Sequence, residues 1–161
     1  MIVIDIDNTV TNQIDRLRKN YDSDIETMRA KSTSEQELMS DLLFPNAMEV
    51  ILKLAKNFDI IWLSARNSSL YEVTLKWIIE KKLPCKELIL VSKLEDKLPI
   101  LIKLNPTLFI DDLQYDLYSL NPKPALQFRD KLNKANVPYL VFNSNWLDVE
   151  KQLKNRGLLD I

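Results

Sequence analysis

The chain begins Met1-Ile2-Val3-Ile4-Asp5-Ile6-Asp7-Asn8-Thr9, and this stretch decides the fold. Isoleucine at every second position predicts a β-strand, and the same alternation carries the carboxylates of Asp5 and Asp7 to one face at its carboxyl end. Two adjacent carboxylates repel each other, and burying either one without a partner is costly. We therefore expect a cation beside them, and Mg²⁺ is the usual one where every ligand is an oxygen atom.

The composition predicts one globular domain over residues 1–161. The 22 basic and 23 acidic residues nearly balance, and the basic ones are spread along the chain. Bulk charge therefore does not indicate a groove for a polyanion, although it leaves room for a small basic pocket. The strand predicted at residue 2 leaves no space for a signal peptide, and no apolar run is long enough to cross a bilayer, so we expect a cytoplasmic protein.

Missing residue types exclude several kinds of chemistry. The absence of histidine excludes Ser-His-Asp triads, Cys-His dyads, a histidine base and the common His-ligated zinc sites. Gly157 is the only glycine, which excludes the P-loop and the G-x-G-x-x-G dinucleotide motif. The single cysteine, Cys85, excludes an internal disulfide and multi-cysteine zinc clusters. The remaining chemistry must use carboxylates, hydroxyls, lysine, arginine and a metal.

Residues 11–43 are polar and highly charged, and we predict that they form a small helical insertion after the first strand. One long helix is indicated by apolar residues at heptad-like spacing, which are Ile14, Leu17, Tyr21, Ile25 and Met28. A second helix is expected from Ser34 to Leu43, because Ser34 and Glu37 have the spacing of a capping box. Pro45 then occupies the expected first position of a core helix that extends to Phe58.

Strands and helices alternate over the rest of the chain. Apolar runs predict strands at residues 59–64, 88–91, 108–110 and 139–142. The last helix is expected to be capped by Ser144 or Asn145 and ended by Gly157. This alternation predicts an α/β fold with a doubly wound, Rossmann-like parallel sheet of about five strands.

Ligands of such sheets bind beyond the carboxyl ends of the strands. Three predicted strand ends carry polar residues of a suitable kind, and a lysine at 93 or 97 begins the helix before the last of them. These residues are Asp5 and Asp7, Ser64 and Arg66, and Asp111 and Asp112.

This order of residues resembles the four motifs of the haloacid dehalogenase-like (HAD) superfamily. The matching features are Asp5-x-Asp7-x-Thr9, a strand ending in Ser64, a lysine, and a strand ending in Asp111-Asp112. The resemblance spans residues 1 to about 116, and it implies a phosphatase, that is, a phosphomonoester hydrolase with an aspartyl-phosphate intermediate. A nucleotide or another small phosphomonoester is the implied substrate.

The resemblance also implies roles for the residues at the two acidic motifs. Asp5 would attack phosphorus, while Asp7 would protonate the leaving alcohol and then activate water. Such a shuttle suits a carboxyl group whose pKa is raised by its neighbour. Mg²⁺ would be held by Asp5, the backbone carbonyl of Asp7 and Asp111, with Asp112 supporting that shell or orienting the lysine.

Phosphate-binding roles are implied for Thr9, Ser64, Arg66 and Lys97. Ser64 and the amides of the helix expected directly after it would bind phosphoryl oxygens, and Thr9 would hydrogen-bond near the nucleophile. Lys97 fits the family spacing better than Lys93. Asp116 matches a family acidic position, or it is a solvated loop residue.

Two departures from the family pattern affect the expected site. Asn8 stands where glycine is common, and asparagine also tolerates the left-handed conformation such a turn needs. Ser64-x-Arg66 is similar to HAD enzymes that act on nucleotides or on polynucleotide 3′-phosphate ends, where the guanidinium would grip a second phosphate. A structural salt bridge is the alternative role for Arg66.

Other functions remain open at this point. A polynucleotide 3′-phosphatase is the nearest alternative, with a nucleic-acid 3′ end as partner. A two-metal nuclease would need further acids on helices and usually a histidine or tyrosine base. A non-catalytic phospho-ligand binding module of the response-regulator type would place its acidic pair first, whereas here the Asp-x-Asp motif comes first and the pair last, which favours an enzyme.

Overall fold

A parallel β-sheet lies at the centre of the computed structural model, which describes residues 1–113 and 121–160. Its strands are Ile2–Ile4 (β1), Ile60–Ser64 (β2), Glu87–Leu90 (β3), Leu108–Asp111 (β4) and Tyr139–Val141 (β5). They pair in the order β3-β2-β1-β4-β5, and every pairing is parallel. The predicted doubly wound, Rossmann-like α/β fold is therefore confirmed.

Helices cover both faces of this sheet. They are Gln13–Lys19 (α1), Ile25–Ser32 (α2), Glu35–Met39 (α3), Ala47–Ala55 (α4), Tyr71–Glu80 (α5), Lys97–Leu104 (α6), Lys123–Lys134 (α7) and Trp146–Asn155 (α8). Side chains alternate across a strand, so Ile2 and Ile4 pack with α4, α5 and α8, whereas Val3 packs with α6 and α7. None of the helices in the described ranges has the length and apolar composition needed to cross a lipid bilayer.

The sheet reverses its winding direction beside β1. The chain adds β2 and β3 on one side of β1, whereas β4 and β5 lie on the other side. Ile4 pairs with Ile110, and the Asp5 amide donates to the Ile110 carbonyl at 2.9 Å. Asp5 and Asp111 therefore stand side by side at the carboxyl edge, at the switch point where doubly wound sheets bind ligands.

Residues 11–43 form three helices rather than the predicted two. The long helix expected from Ile14 to Met28 is wrong, because α1 ends at Lys19 and α2 begins at Ile25. The side chain of Asn20 donates to the Arg16 carbonyl at 3.0 Å and closes α1, and Asp24 caps α2 by accepting from the Thr27 amide at 2.9 Å.

The ends of this segment meet on the core, since Thr11 forms an antiparallel bridge with Leu43. Of the five predicted apolar positions only Leu17 is buried, whereas Tyr21 is 77% exposed. Ser34 caps α3 as predicted, with its hydroxyl accepting from the Glu37 amide at 3.4 Å, but that helix ends at Met39.

Pro45 is not the first residue of α4. Asn46 precedes the helix with a left-handed backbone (φ +65°), and α4 begins at Ala47. Because the chain turns at Asn46, the proline lies one residue before the cap and outside the helix.

Gly157 ends α8 as the sequence predicts. Its amide donates to the Lys154 carbonyl at 2.9 Å, and the next amide, Leu158, donates to the Leu153 carbonyl at 2.9 Å. This pattern is a Schellman motif, and Gly157 adopts the left-handed conformation that the motif requires (φ +70°).

Replacing Gly157 should therefore destabilise the protein through its backbone alone. A Cβ at this position would meet nothing within 4 Å, so Gly157→Ala should lower the free energy of unfolding by about 1–2 kcal/mol, the cost of a left-handed alanine. Gly157→Asn should cost less, because asparagine tolerates this conformation. Urea denaturation of the three proteins measures the difference, and equal midpoints for glycine and alanine would contradict this assignment.

Candidate active site

Lys97 joins the two strands that flank the switch point. Its Nζ lies 2.8 Å from Asp5 Oδ1 and 2.7 Å from Asp111 Oδ2, and all three side chains are buried. Lys97 is the first residue of α6, and a helix that follows a parallel strand begins at the carboxyl edge of the sheet. Burial disfavours the charged ammonium, but Asp111 and Asp5 outweigh burial and raise the pKa of Lys97.

Thr9 connects Asp5 to the loop that follows β4. Its hydroxyl donates to Asp5 Oδ2 at 3.0 Å and accepts from the Asp112 amide at 3.0 Å. In that loop, the Leu113 amide donates to Asp111 Oδ1 at 3.0 Å. These bonds use both oxygens of Asp5 and of Asp111, so each carboxylate has a fixed orientation.

The loop after β4 is also held from α7. Leu113 has a left-handed backbone (φ +42°), a conformation that costs a leucine free energy. Its carbonyl accepts two hydrogen bonds from Arg129, from Nε at 3.0 Å and from Nη2 at 2.6 Å. This charge-assisted pair stabilises the strained residue that follows the acidic pair.

Asp5, Asp111 and Asp112 form a group suited to a metal ion. Each offers a carboxylate oxygen, and these oxygens lie within 4.8 Å of one another. Burial and the charge of Asp111 raise the pKa of Asp5 to about 7, against the pull of Lys97. Burial and the charges of Asp111 and Asp5 raise the pKa of Asp112 to about 9. Three carboxyl groups thus lie beside one lysine, and an all-oxygen donor set fits Mg²⁺.

Asp7 lies in a second cluster of charges next to the first. Arg66 forms a bidentate salt bridge with its carboxylate, in which Nε lies 2.7 Å from Oδ2 and Nη2 lies 2.8 Å from Oδ1. Arg16 contacts the same carboxylate at 3.1 Å and also pairs with Asp41. A further nitrogen of Arg66 donates to the hydroxyl of Thr74 at 3.0 Å.

The expected rise in the pKa of Asp7 is wrong in direction. Burial disfavours its ionised form, but the charges and hydrogen bonds of Arg66, followed by those of Arg16, outweigh burial and hold the pKa of Asp7 well below its ordinary value. β1 also ends at Ile4, so Asp7 lies in the turn beyond the strand instead of on its face. The structure thus holds Asp7 as a carboxylate.

Ser64 is the last residue of β2, and the helix expected directly after it is wrong. Residues 65–67 form a loop, a 3-10 turn follows at Ser68–Leu70, and α5 begins only at Tyr71. The Ser64 hydroxyl is fully buried and has no hydrogen-bond partner among the described residues. A buried hydroxyl without a partner is unusual, and it marks a position where a polar ligand could bind.

The remaining expectations from the sequence have mixed outcomes. Lys93 is exposed, and it is Lys97 that contacts the acidic residues. Asn8 adopts the left-handed conformation expected in place of glycine (φ +60°). Asp116 lies outside the described residues.

Sequence reasoning missed Arg16 and Asp41. Both belong to the segment 11–43, both are buried, and together they connect that segment to Asp7. Arg16 stands among charged residues that are mostly exposed, and neither periodicity nor a motif distinguishes it from Arg18 two positions later. Its contact with Asp7 depends on how the segment folds over the sheet.

No protein-family model matches the chain, and no curated protein sequence matches it. The fold is shared with chains of an RNA repair complex. Two structures of the Pnkp1/Rnl/Hen1 complex contain chains 13% and 16% identical to this protein, each covering 89% of it with a TM-score of 0.58. This protein spans 42% and 45% of those chains, so less than half of each is represented here. At these identities the similarity is one of fold.

The charge cluster around Asp7 should contribute strongly to stability. Arg16→Met removes one partner of Asp7 and the closest partner of Asp41, leaving buried negative charge, and should lower the free energy of unfolding by about 3 kcal/mol. Arg18→Met is the matched control on the same helix, because Arg18 is 79% exposed and lies 3.8 Å from Asp15.

Chemical denaturation should therefore leave Arg18→Met within the error of the wild type and shift Arg16→Met to a clearly lower midpoint. If the two variants unfold at the same denaturant concentration, the buried pairs of Arg16 do not stabilise the fold.

Proposed function

We propose that the protein is a Mg²⁺-dependent phosphomonoester hydrolase that acts through an aspartyl-phosphate, an acyl phosphate formed on Asp5. The observation that carries the proposal is the geometry of Asp5, which stands at the switch point with one oxygen bound to Lys97 and the other to Thr9. Asp111 and Asp112 lie beside it, and together the three carboxyl groups could hold the metal ion that phosphoryl transfer commonly requires.

Catalysis takes two steps. In the first, an oxygen of Asp5 attacks phosphorus, the bond from phosphorus to the ester oxygen breaks, and the leaving oxygen takes a proton from Asp7. In the second, water attacks the same phosphorus, its proton passes to Asp7, and the Asp5 carboxylate is released with inorganic phosphate. Asp7 must therefore take up a proton from solvent before the first step, because its contacts with Arg66 and Arg16 favour the ionised form. The second step returns that proton to Asp7.

Carboxylate oxygens of Asp5 and Asp111 and the backbone carbonyl of Asp7 would hold Mg²⁺, with Asp112 supporting them. When bound, the ion would neutralise charge on the phosphoryl oxygens. Its fit rests on the oxygen-only donors and on the three carboxyl groups that lie beside one lysine.

Ser64 and Lys97 would bind the transferred phosphoryl group. The Ser64 hydroxyl is buried at the carboxyl end of β2, next to β1, and has a free donor among the described residues. The Lys97 ammonium already contacts the nucleophile and would remain close to the charge that develops on phosphorus.

Nucleotides and other small phosphomonoesters are the first substrate class we propose, with residues 11–43 acting as a small cap. A second candidate is the 3′-phosphate end of a polynucleotide, which is supported by the fold similarity to chains of an RNA repair complex. The guanidinium of Arg66 is occupied by Asp7 and Thr74, so it is better explained as a structural partner of Asp7 than as a grip on a second phosphate.

The first experiment measures phosphate release from nucleoside monophosphates, sugar phosphates, a 3′-phosphorylated oligonucleotide and an aryl phosphate, with and without Mg²⁺. Wild type should release phosphate only with the metal, and Asp5→Asn should abolish release from every substrate. Asp7→Asn should impair alkyl phosphates more than the aryl phosphate, because an aryl leaving group needs less help from an acid.

The best substrate in the panel separates the two classes, since a 3′-phosphatase should prefer the oligonucleotide over every mononucleotide. A folded wild type that releases phosphate from none of them, the aryl phosphate included, would refute the catalytic proposal.

Metal binding can be tested without turnover. A ligand that binds only the folded state at 100 times its dissociation constant stabilises a protein by about 2.7 kcal/mol, so Mg²⁺ should raise the melting temperature of wild type. Asp112→Asn should reduce this rise while keeping the contacts of Lys97. Asp148→Asn removes an exposed carboxylate on α8 and should respond like wild type. An equal rise in all three proteins would exclude this acidic group as the site.

A further inference from the structure

Trp146 joins the last helix to the loop that carries the nucleophile. It is the first residue of α8, it is fully buried, and its indole N–H donates to the Thr9 carbonyl at 2.9 Å. The neighbouring carbonyl, that of Val10, accepts from the Phe44 amide at 2.8 Å. The rings of Phe44 and Trp146 both pack on Phe142, with centroids 5.2 and 5.6 Å away. Two consecutive carbonyls of the loop thus accept hydrogen bonds from two residues whose rings pack on Phe142, one from the Trp146 indole and one from the Phe44 backbone.

The position of Thr9 matters because its hydroxyl has two tasks. It donates to Asp5 and accepts from the Asp112 amide, so it connects the nucleophile to the acidic pair after β4. A side chain can do this only if its own peptide is fixed. The Thr9 carbonyl accepts from the Trp146 indole, and loss of that donor would leave a buried acceptor without this partner.

We propose that Trp146 is a positioning residue of the site. Its indole N–H holds the Thr9 peptide in place, so that the Thr9 hydroxyl keeps its hydrogen bonds to Asp5 and to the Asp112 amide. This inference rests on the proposed phosphatase function, because it assigns a catalytic consequence to the bond. The C-terminal helix, which contributes none of the predicted site residues, thereby becomes part of the catalytic apparatus.

The chain offers a matched control for testing this role. Trp62 is also fully buried, and its indole N–H donates to a backbone carbonyl, that of Pro84, at the same distance of 2.9 Å. Pro84 precedes β3, so this bond lies at the amino edge of the sheet, opposite the site. Trp62→Phe and Trp146→Phe therefore remove the same ring area and the same kind of hydrogen bond, but only Trp146→Phe removes a hydrogen bond to the Thr9 loop.

Trp146→Phe should lower kcat for the aryl phosphate by about tenfold or more while KM stays within about twofold, because a shifted nucleophile loses reactivity more than binding. Trp62→Phe should leave both constants within about twofold of wild type. The assay is steady-state kinetics at a temperature where both variants are folded by circular dichroism.

A second readout is independent of turnover. Amide hydrogen exchange at Thr9, Val10 and Thr11 reports the opening of the loop, since these amides all donate to the Ile6 carbonyl. Exchange there should be about tenfold or more faster in Trp146→Phe than in Trp62→Phe.

If Trp146→Phe does not fold, replacing Trp146 by benzothienylalanine keeps the ring shape and removes only the donor, and the same losses are expected. The positioning role is overturned if the wild type is active and the Trp146 variants match Trp62→Phe in kcat, or if the exchange rates of the loop do not differ. A wild type with no activity overturns the proposed function instead, and the exchange comparison then still tests whether Trp146 holds the loop.

Discussion

The buried salt bridges of the Lys97 ammonium with Asp5 and Asp111 are the interactions on which the rest of the site depends. Parallel pairing of β1 with β4 brings Asp5 and Asp111 side by side, and two carboxylates in that position would repel each other. Lys97 offsets the repulsion because α6 begins at the same edge and its first side chain enters between them. Strand register and helix start must therefore agree, and either one shifted by a residue would separate the three charges.

A second set of charges ties residues 11–43 to this edge of the sheet. Asp7 is shared by Arg66 from the loop after β2 and Arg16 from α1, and Arg16 in turn pairs with Asp41 at the far end of the segment. Leu17 and Leu38 of the segment are buried, and these ion pairs, together with the contact of α3 with α5, also attach it to the core. Any movement of α1 would change the contacts of Asp7, which couples the segment to the chemistry proposed for that carboxylate.

Much of this arrangement could be predicted from the sequence, because apolar runs of three to six residues and their turn signals repeat along the core. The strands, their order of appearance and the placement of Asp5 and Asp111 at one edge follow from that pattern together with the rule on strand ends. The choice of Lys97 over Lys93 came from the motif resemblance and not from the pattern. The prediction was wrong between Ile14 and Met28, where the apolar spacing indicated one long helix but the chain forms two. There the local capping of Asn20 and Asp24 decided the helix ends.

The sequence by itself determined the α/β class, the edge at which the polar residues gather, and the residue types available for chemistry there. Local periodicity and a fixed strand direction are sufficient for those conclusions. Only the tertiary structure decided that Arg66 and Arg16 both contact Asp7 and reverse the expected shift of its pKa. The same is true of the hydrogen bond from the Trp146 indole to the Thr9 carbonyl. Such contacts join residues far apart in the chain through side-chain geometry, and a one-dimensional pattern contains no distances.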